Sequence, residues 1–522
     1  VRWQDDVARI HKNILYWLVI KVGVHMQGTK SGLFVGGVLL AAAVGNVQAE
    51  ALQPDPAWQQ GKLDNGFSWQ LLATPQRPSD RIELRLMINT GSLTENAQQT
   101  GFSHFIPRLA LLPRDTFSAG QLPSLWQQSE SETRPLPPAT TSYDFTSYNL
   151  SLPNNRPDLL KDALSWLADT AGQLQINDKR IASATKMIDP VATAPTNPQD
   201  PSWRYRLKGS SLLSYAPGQP LKPSVNAEQL SKYYKTWYTP DAMTLYVVGN
   251  VDSRVIAEQI DRVFSPLQGK RVTPSPLPTL SAMPSTPISL MDSSMRQDIL
   301  SLVWDMPWQP IRDSQALARY WHSDLAREAL FWHMQQVLTK SPLKDTNVRF
   351  DCNVVYGRAQ CAIHLDNVTS ESAQAGVTFL SKELLALRDK GLSQAEFDTL
   401  MARKTEELSK LFATYARAST DILMDQRLRS QKNGVVDIAP EQYQKLRQSY
   451  LSSVTLEMLN QELHQQLSQE ATLVMLQPQG EPEANMKALR ETYMSIMQPD
   501  NGAASAAPDA AKASQDETSA VR

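Results

Sequence analysis

Cysteine is nearly missing from this chain, with two in 522 residues, which excludes a scaffold held together by many disulfides. No excess of charge of one sign exists either. Lys and Arg number 51 against 53 Asp and Glu, and the net charge is −2. With both signs interspersed, the chain has no electrostatic footprint for nucleic acid or for an anionic membrane surface. No H-x-x-x-H pair, no G-x-S-x-G elbow and no Walker loop occurs, so three common catalytic signatures are missing. The apolar run Gly32 to Gly45 is shorter than the roughly 20 residues that cross a bilayer.

What is present is ordinary globular material, 41% hydrophobic and 20% charged, in a length that suits two domains of about 200 residues each. Met26-Gln27-Gly28-Thr29-Lys30, the apolar run and Val47-Gln48-Ala49 together read as a signal peptide over residues 26–49, cut before Glu50. An uncleaved anchor is the alternative. Residues 1–25 stand ahead of a credible start methionine and read as an upstream extension. The expected address is the periplasm, with no membrane span after cleavage. Asn501–Arg522 has Val521 as its one large apolar residue and is expected to be disordered.

Leu63-Asp64-Asn65-Gly66-Phe67 carries a hairpin signal at Asn-Gly. Alternation over Arg81–Ile88 predicts a strand with one buried face, and Tyr148–Leu152, Thr244–Gly249, Asp298–Trp304 and Ala471–Leu476 read as further strands. Asp158–Leu174 and Ser314–Leu338 read as helices. Asp252 or Ser253 caps another, with Ile256, Ile260, Val263, Phe264 and Leu267 on one side. Ser393-Gln394-Ala395-Glu396 is a capping box. Tyr233, Tyr234, Trp237 and Tyr238, at helical spacing, are read as core rather than as a binding patch. Arg271–Pro287 contains five prolines and suits a linker. It separates a domain over 50–270 from one over 288–480, followed by a C-terminal segment over 481–522. Both halves share a strand–helix–strand–helix order, which predicts a duplicated α+β unit, each an antiparallel-rich sheet packed by helices. Both cysteines lie in Asn347–Asp366, which reads as two strands about Tyr356-Gly357. A two-residue turn there faces Cys352 with Cys361 in the closer type of antiparallel pair. An oxidising compartment then favours a disulfide; two free buried thiols are the alternative.

Leu63–Phe67, and Gly91-Ser92-Leu93-Thr94-Glu95 through Gly101-Phe102-Ser103-His104-Phe105, resemble the "LxNG" hairpin and the "GSxxE…GxxHFxEH" segment of the pitrilysin/insulinase family of inverted zinc peptidases. Tyr233-Tyr234-Lys235-Thr236-Trp237-Tyr238-Thr239-Pro240-Asp241-Ala242-Met243-Thr244, running into Val247–Asp252, resembles "FYxxWYxPxNMxLxVVGdvD". Gln297 stands where such proteins often carry a Gln before a strand. The resemblance runs from about residue 60 to residue 478. It implies two insulinase-type, metallohydrolase-like domains, and a chamber for unfolded peptide enclosed by two such chains or by one double-length chain.

The family's H-x-x-E-H helix supplies two zinc ligands and a general base, and a Glu further downstream supplies the third ligand. Here the five positions read His104-Phe105-Ile106-Pro107-Arg108. Pro107 cannot take a proton, and the guanidinium of Arg108 repels a dication. The downstream ligand should fall near Thr185, yet residues 175–195 hold no Glu, only Asp178 and Asp189. Pro107 also predicts a kinked or delayed helix. The resemblance further puts a peptide-accepting edge strand near Ala139, where Arg134-Pro135-Leu136-Pro137-Pro138 should weaken strand addition. Of the other histidines, His322 and His333 are too far apart along one helix to share an ion, and His364 and His464 form no ligand pattern.

The sequence therefore predicts an insulinase-like protein without catalytic residues and without a cofactor. His104, Pro107 and Arg108 are remnants of a motif, and His104 is a structural residue. Expected partners are peptide or unfolded polypeptide, a second copy of the chain or an active family member, and no nucleic acid. The rival expectation is a zinc-dependent metalloendopeptidase with a non-standard site at His104; a scaffold with no ligand is a third.

Overall fold

The structure, a computed structural model, describes residues 50–498 apart from 115–135, 155, 195–200, 208–209, 339–340, 342 and 344–345. The signal peptide, the upstream extension, Arg134-Pro135 and the tail from Asn501 lie outside the described residues.

A first unit runs β1 (Trp58–Lys62), β2 (Ser68–Ala73), β3 (Ile82–Ile88), α1 (Phe102–Ala110), β4 (Ala139–Thr141), β5 (Thr146–Leu152), α2 (Pro157–Gly172), α3 (Asp178–Lys186), β6 (Val191–Thr193), α4 (Pro201–Leu207), α5 (Ala227–Trp237), β7 (Met243–Gly249) and α6 (Ser253–Phe264). Its sheet has the order β1-β2-β7-β3-β5-β4-β6. No helix or strand occurs between Phe264 and Ile288. A second unit follows with β8 (Ile288–Asp292), β9 (Ile299–Pro307), α7 (Ser314–Leu338), β10 (Asn347–Val355), β11 (Arg358–Asp366), α8 (Ala373–Lys390), α9 (Gln394–Ser409), α10 (Leu411–Arg417), α11 (Thr420–Lys432), α12 (Pro440–Ser453), α13 (Leu456–Leu467), β12 (Thr472–Pro478) and α14 (Met486–Met497). Its sheet has the order β10-β11-β9-β12-β8. The fold is α+β with two similar units, each a sheet packed by helices. The second core reaches past residue 480, because Met486, Leu489, Tyr493 and Met497 of α14 are buried in it.

The local signals act through identifiable contacts. Gly66 takes φ +92° in the turn between β1 and β2, and the Asn65 side-chain amide donates to the Phe264 and Leu267 carbonyls, tying that turn to the end of α6. The Asp252 carboxylate accepts from the Arg254 and Val255 N–H groups at the start of α6. Ser393 and Glu396 close a reciprocal capping box on α9. Tyr356 and Gly357 both have positive φ in the turn that joins β10 to β11. This register sets Cys352 opposite Cys361 with Cα atoms 4.1 Å apart, and the two are joined by a disulfide.

One face of the first sheet carries Ile82, Leu84, Leu86 and Ile88 against α1, α2, α5 and α6. Tyr233, Tyr234 and Tyr238 are buried in that core. The other face of β3 was expected to meet solvent; instead Glu83 and Arg85 are each 3% exposed. The reason is α11, which crosses from the second unit and packs Leu423 and Met424 on Leu72, Tyr246 and Val248. Glu83 and Arg85 survive burial as an ion pair at 3.0 Å. Arg77 donates to the Ala418 carbonyl, Thr420 to the Arg81 carbonyl and Arg427 to Gln70, which fixes the two units together.

Candidate functional site

The degenerate motif lies on α1, and a carboxylate begins that helix. Glu95 accepts from the Gly101 N–H at 2.9 Å, the Ser103 N–H at 2.7 Å and the Ser103 hydroxyl at 2.6 Å. It thereby satisfies donors that a helix start leaves open. Burial raises the Glu95 carboxyl above its ordinary range, against the opposing pull of Ser103, Gly101 and the His104 charge. Gly101 has φ +87°, and a Cβ there would stand 2.5 Å from the Gln219 carbonyl oxygen, so only glycine fits.

The kinked or delayed helix expected from Pro107 is corrected in part: α1 begins at Phe102, is not delayed, and continues through Pro107, with Leu111 N–H bonded to the Pro107 carbonyl at 3.0 Å. An interior proline costs roughly 3 kcal/mol. Phe102, Phe105, Ile106 and Leu109 are all buried, at about 1.5–3 kcal/mol each. With the Glu95 cap, that burial outweighs one missing N–H.

His104 is 6% exposed. Its Nδ1 lies 2.7 Å from Thr141 Oγ1, and its Nε2 lies 2.8 Å from Asp189 Oδ2. Both ring nitrogens therefore have partners inside the chain. Arg108, one helical turn on, donates from Nη2 to the Ala184 and Met187 carbonyls at 2.7 and 2.8 Å, at the end of α3. Its Nη1 lies 3.6 Å from the same Asp189 oxygen. In return Arg180 of α3 donates to the Leu109 and Pro113 carbonyls at the end of α1. Each helix thus has its C-terminal carbonyls capped by an arginine of the other. Asp189 Oδ1 accepts from the Val191 N–H. Burial alone would raise the Asp189 carboxyl, but the His104 and Val191 hydrogen bonds and the His104 and Arg108 charges outweigh it and hold it below its ordinary value.

The site differs from a zinc centre in donor count and in charge. His104 and Asp189 offer two donors, already bonded to each other, where catalytic zinc takes three from the protein. A guanidinium occupies the second ligand position. Thr185, where the third ligand was sought, is exposed on α3 and bonds back to the Ile181 carbonyl; Asp178 accepts from Ala227 N–H elsewhere. Among the described residues no group of three or more His, Cys, Asp or Glu is arranged to hold a metal ion. The row Thr141–His104–Asp189 has the connectivity of a nucleophile–base–acid set, but Thr141 is fully buried in β4, paired with Thr193 of β6. His322 meets Tyr450 and the Met458 carbonyl, His333 meets Glu396, His364 meets Asp351 and Ser301, and His464 meets the Arg388 carbonyl. Sequence reasoning did not connect Thr141 with His104, nor single out Asp189 as its partner. The two lie 37 and 85 residues away, and no local pattern marks them.

The edge expected at Ala139 is also corrected. Ala139–Thr141 is a strand, but β6 pairs with it in parallel on its outer side, so β4 is interior and β6 is the edge. The Pro137 and Pro138 carbonyls are used, accepting from the Asn149 side chain and N–H.

Thr140 of β4 lines a cavity of about 1130 Å³ between the two units. Arg85 and Tyr246 face it from the first sheet, and Trp308, Arg327 and Asp425 from the second unit. The disulfide lies in its wall. Burial raises the carboxyls of Asp144, Asp324 and Asp425 and lowers the Lys432 ammonium, although Asp425 and Lys432 still touch the cavity's solvent. Lys432 stands over the Tyr356 ring at 5.0 Å and the Phe145 ring at 5.4 Å.

The family profile of the peptidase M16 inactive domain matches residues 224–404, and that of insulinase (peptidase family M16) matches residues 71–201. The chain is 58% identical over 485 residues to protein YhjJ of Salmonella typhimurium, covering 93% of this chain and 98% of that one. A solved structure described as a predicted insulinase family protease from Yersinia pestis is 64% identical, with TM-score 0.84, over 89% of this chain and all of that one. The crystal structure of the periplasmic protease PqqL from Escherichia coli shares the fold at 20% identity, with TM-score 0.71, over 85% of this chain and 50% of PqqL.

Proposed function

Because the chain belongs to the insulinase family of peptidases (peptidase family M16), we propose that it is a non-catalytic member, exported to the periplasm, that binds extended polypeptide in the cavity between its units. One observation carries the reading: the Arg108 guanidinium occupies the second ligand position and, with His104, holds the Asp189 carboxylate. Water activation by zinc needs three protein ligands and a base, and this site offers neither. The signal-peptide pattern before Glu50 and the periplasmic address of PqqL support the export half of the reading. Among the described residues no helix is long and apolar enough to cross a membrane.

Zinc content and cleavage of a quenched fluorescent peptide, measured on the purified full chain, test this. Zinc well below one ion per chain and no cleavage are expected, unchanged by His104→Ala. Stoichiometric zinc that disappears in His104→Ala together with cleavage establishes the rival, a metalloendopeptidase centred on His104. The double change Pro107→Glu with Arg108→His is expected to stay inactive, since it strips the Ala184 and Met187 carbonyls of their donor and supplies no Glu at the downstream ligand position.

A pairing role is a second reading, favoured by length. The chain corresponds to half of PqqL, so two copies, or this chain and an active relative, would make one full assembly. Its mass in solution by light scattering distinguishes a single chain from a pair.

A further inference from the structure

Strand β6 is an unusual way to finish a sheet. It has three residues, pairs in parallel with β4, and buries one apolar side chain well, Val191. Parallel pairing is the weaker kind per residue, and three residues give it little else to hold on with. Ile188, just upstream, is 92% exposed and anchors nothing. The grip comes from the side. Asp189, two residues before the strand, bonds to His104 at 2.8 Å, faces Arg108 at 3.6 Å, and accepts the first N–H of the strand at 3.0 Å. Arg108 also holds the Met187 carbonyl. At the far end, Ala194 N–H donates to the Thr141 carbonyl, and the loop at Gly218 rests against Thr193, where an added Cβ would come within 3.0 Å. Without β6 the outer N–H and C=O groups of β4 would be unpaired. An open edge of that kind accepts an extended polypeptide, and Thr140 and Ala194 place this one on the wall of the inter-unit cavity.

We infer that Val191–Thr193 is a built-in occupant of the position where an extended polypeptide would add to β4, and that the contact of Asp189 with His104 and Arg108 is the latch that keeps it there. The remnants of the metal motif thus hold a strand closed instead of holding an ion. Breaking the latch lets the segment lift, exposes β4, and turns a capped sheet into one that can be extended. The inference rests on the reading that the chain binds polypeptide, and it deepens that reading by saying which edge is concerned and what competes for it.

The test uses the full chain with Asp189→Ala and, as a milder change, Asp189→Asn, which keeps the shape and an acceptor but loses the charge. Amide hydrogen exchange is read at residues 192–194 and, as a control, in β5 and β7. Fluorescein-labelled β-casein, an unfolded polypeptide, serves as the probe in anisotropy titrations. Exchange at 192–194 is expected to rise about tenfold or more in Asp189→Ala with the controls unchanged. Casein affinity is expected to rise at least several-fold, with Asp189→Asn intermediate in both. Should Asp189→Ala not fold, Asp189→Asn carries the same readings. Unchanged exchange at 192–194 overturns the latch. Raised exchange with casein affinity equal to that of the wild type overturns the occupancy of the edge, while polypeptide binding elsewhere in the cavity stands. Raised exchange with no casein binding by any of the proteins overturns the inference and the polypeptide-binding reading together.

Discussion

The two units lay their strands in the same order and finish their outer edges differently. Read across the sheets, β2-β7-β3-β5-β4 in the first corresponds to β8-β12-β9-β11-β10 in the second, with the parallel pair β2–β7 matched by β8–β12. In the first unit the outer strand has three residues and is covered by β6, which is held by polar contacts from α1. In the second the corresponding strand, β10, has nine residues and is stapled to its neighbour by the Cys352–Cys361 bond. One duplicated framework thus carries a reversible fastening on one side and a covalent one on the other. The difference falls where the first unit keeps its remnant motif, between β3 and β4. The second unit places there the 25-residue helix α7, among whose charged contacts Glu328 with Lys404 and His333 with Glu396 are made to α9.

The largest expected effect comes from breaking what joins the halves. Asp305 of β9 lies between Arg206 of α4 at 3.1 Å and Arg358 of β11 at 2.7 Å, all three well enclosed. Asp305→Ala leaves two guanidiniums without their carboxylate and is expected to cost about 3–5 kcal/mol in urea unfolding. Because Arg206 belongs to the first unit and Asp305 to the second, both units should lose protection in hydrogen exchange. A loss confined to the second would show that the halves are energetically separate. A middle effect comes from reducing the disulfide or from Cys352→Ser with Cys361→Ser. Closing so short a loop is worth roughly 2–3 kcal/mol, and the loss should appear as faster exchange in β10 and β11 with β4 and β6 unaffected. The smallest effect concerns pH. Burial holds the Asp144 carboxyl above its ordinary value despite the nearby Lys432 charge, so the folded chain takes up this proton before the unfolded chain does. Stability from Asp144 is therefore present in full below about pH 4, the unfolded value, and is lost as pH rises through the folded value. Compared with Asp144→Asn, the wild-type Tm should gain on acidification from neutral pH; a difference independent of pH would show that the group does not titrate in the fold.

What could be read from the residues alone was what local chemistry decides. The Asn65-Gly66 turn, the Asp252 cap, the Ser393–Glu396 box and the limits of Ser314–Leu338 each depend on residues a few positions apart, and each is in the structure. The register of the cysteine hairpin follows from a two-residue turn in the same way. The errors involve contacts and lengths that local patterns do not carry. Glu83 and Arg85 alternate with apolar residues like a solvent face, and only the arrival of α11, more than 300 positions on, buries them. The three residues of β6 are too few to show a period of two. The helix through Pro107 survives because Glu95 and the core support it, and propensity does not register either contribution. The motif positions themselves were legible as a departure from H-x-x-E-H. What their side chains hold instead depends on Thr141 and Asp189, whose approach no spacing rule foretells.

The exchange of arginine caps between α1 and α3 has a consequence for the history of such a chain. Arg108 holds the last carbonyls of α3, and Arg180 reaches those of α1, so position 108 is part of the frame. A reversion at 108 would strip partners from Ala184 and Met187 before it gained a ligand. If the chain is the non-catalytic member proposed above, a return to H-x-x-E-H therefore runs downhill in stability first, and such a step works as a ratchet.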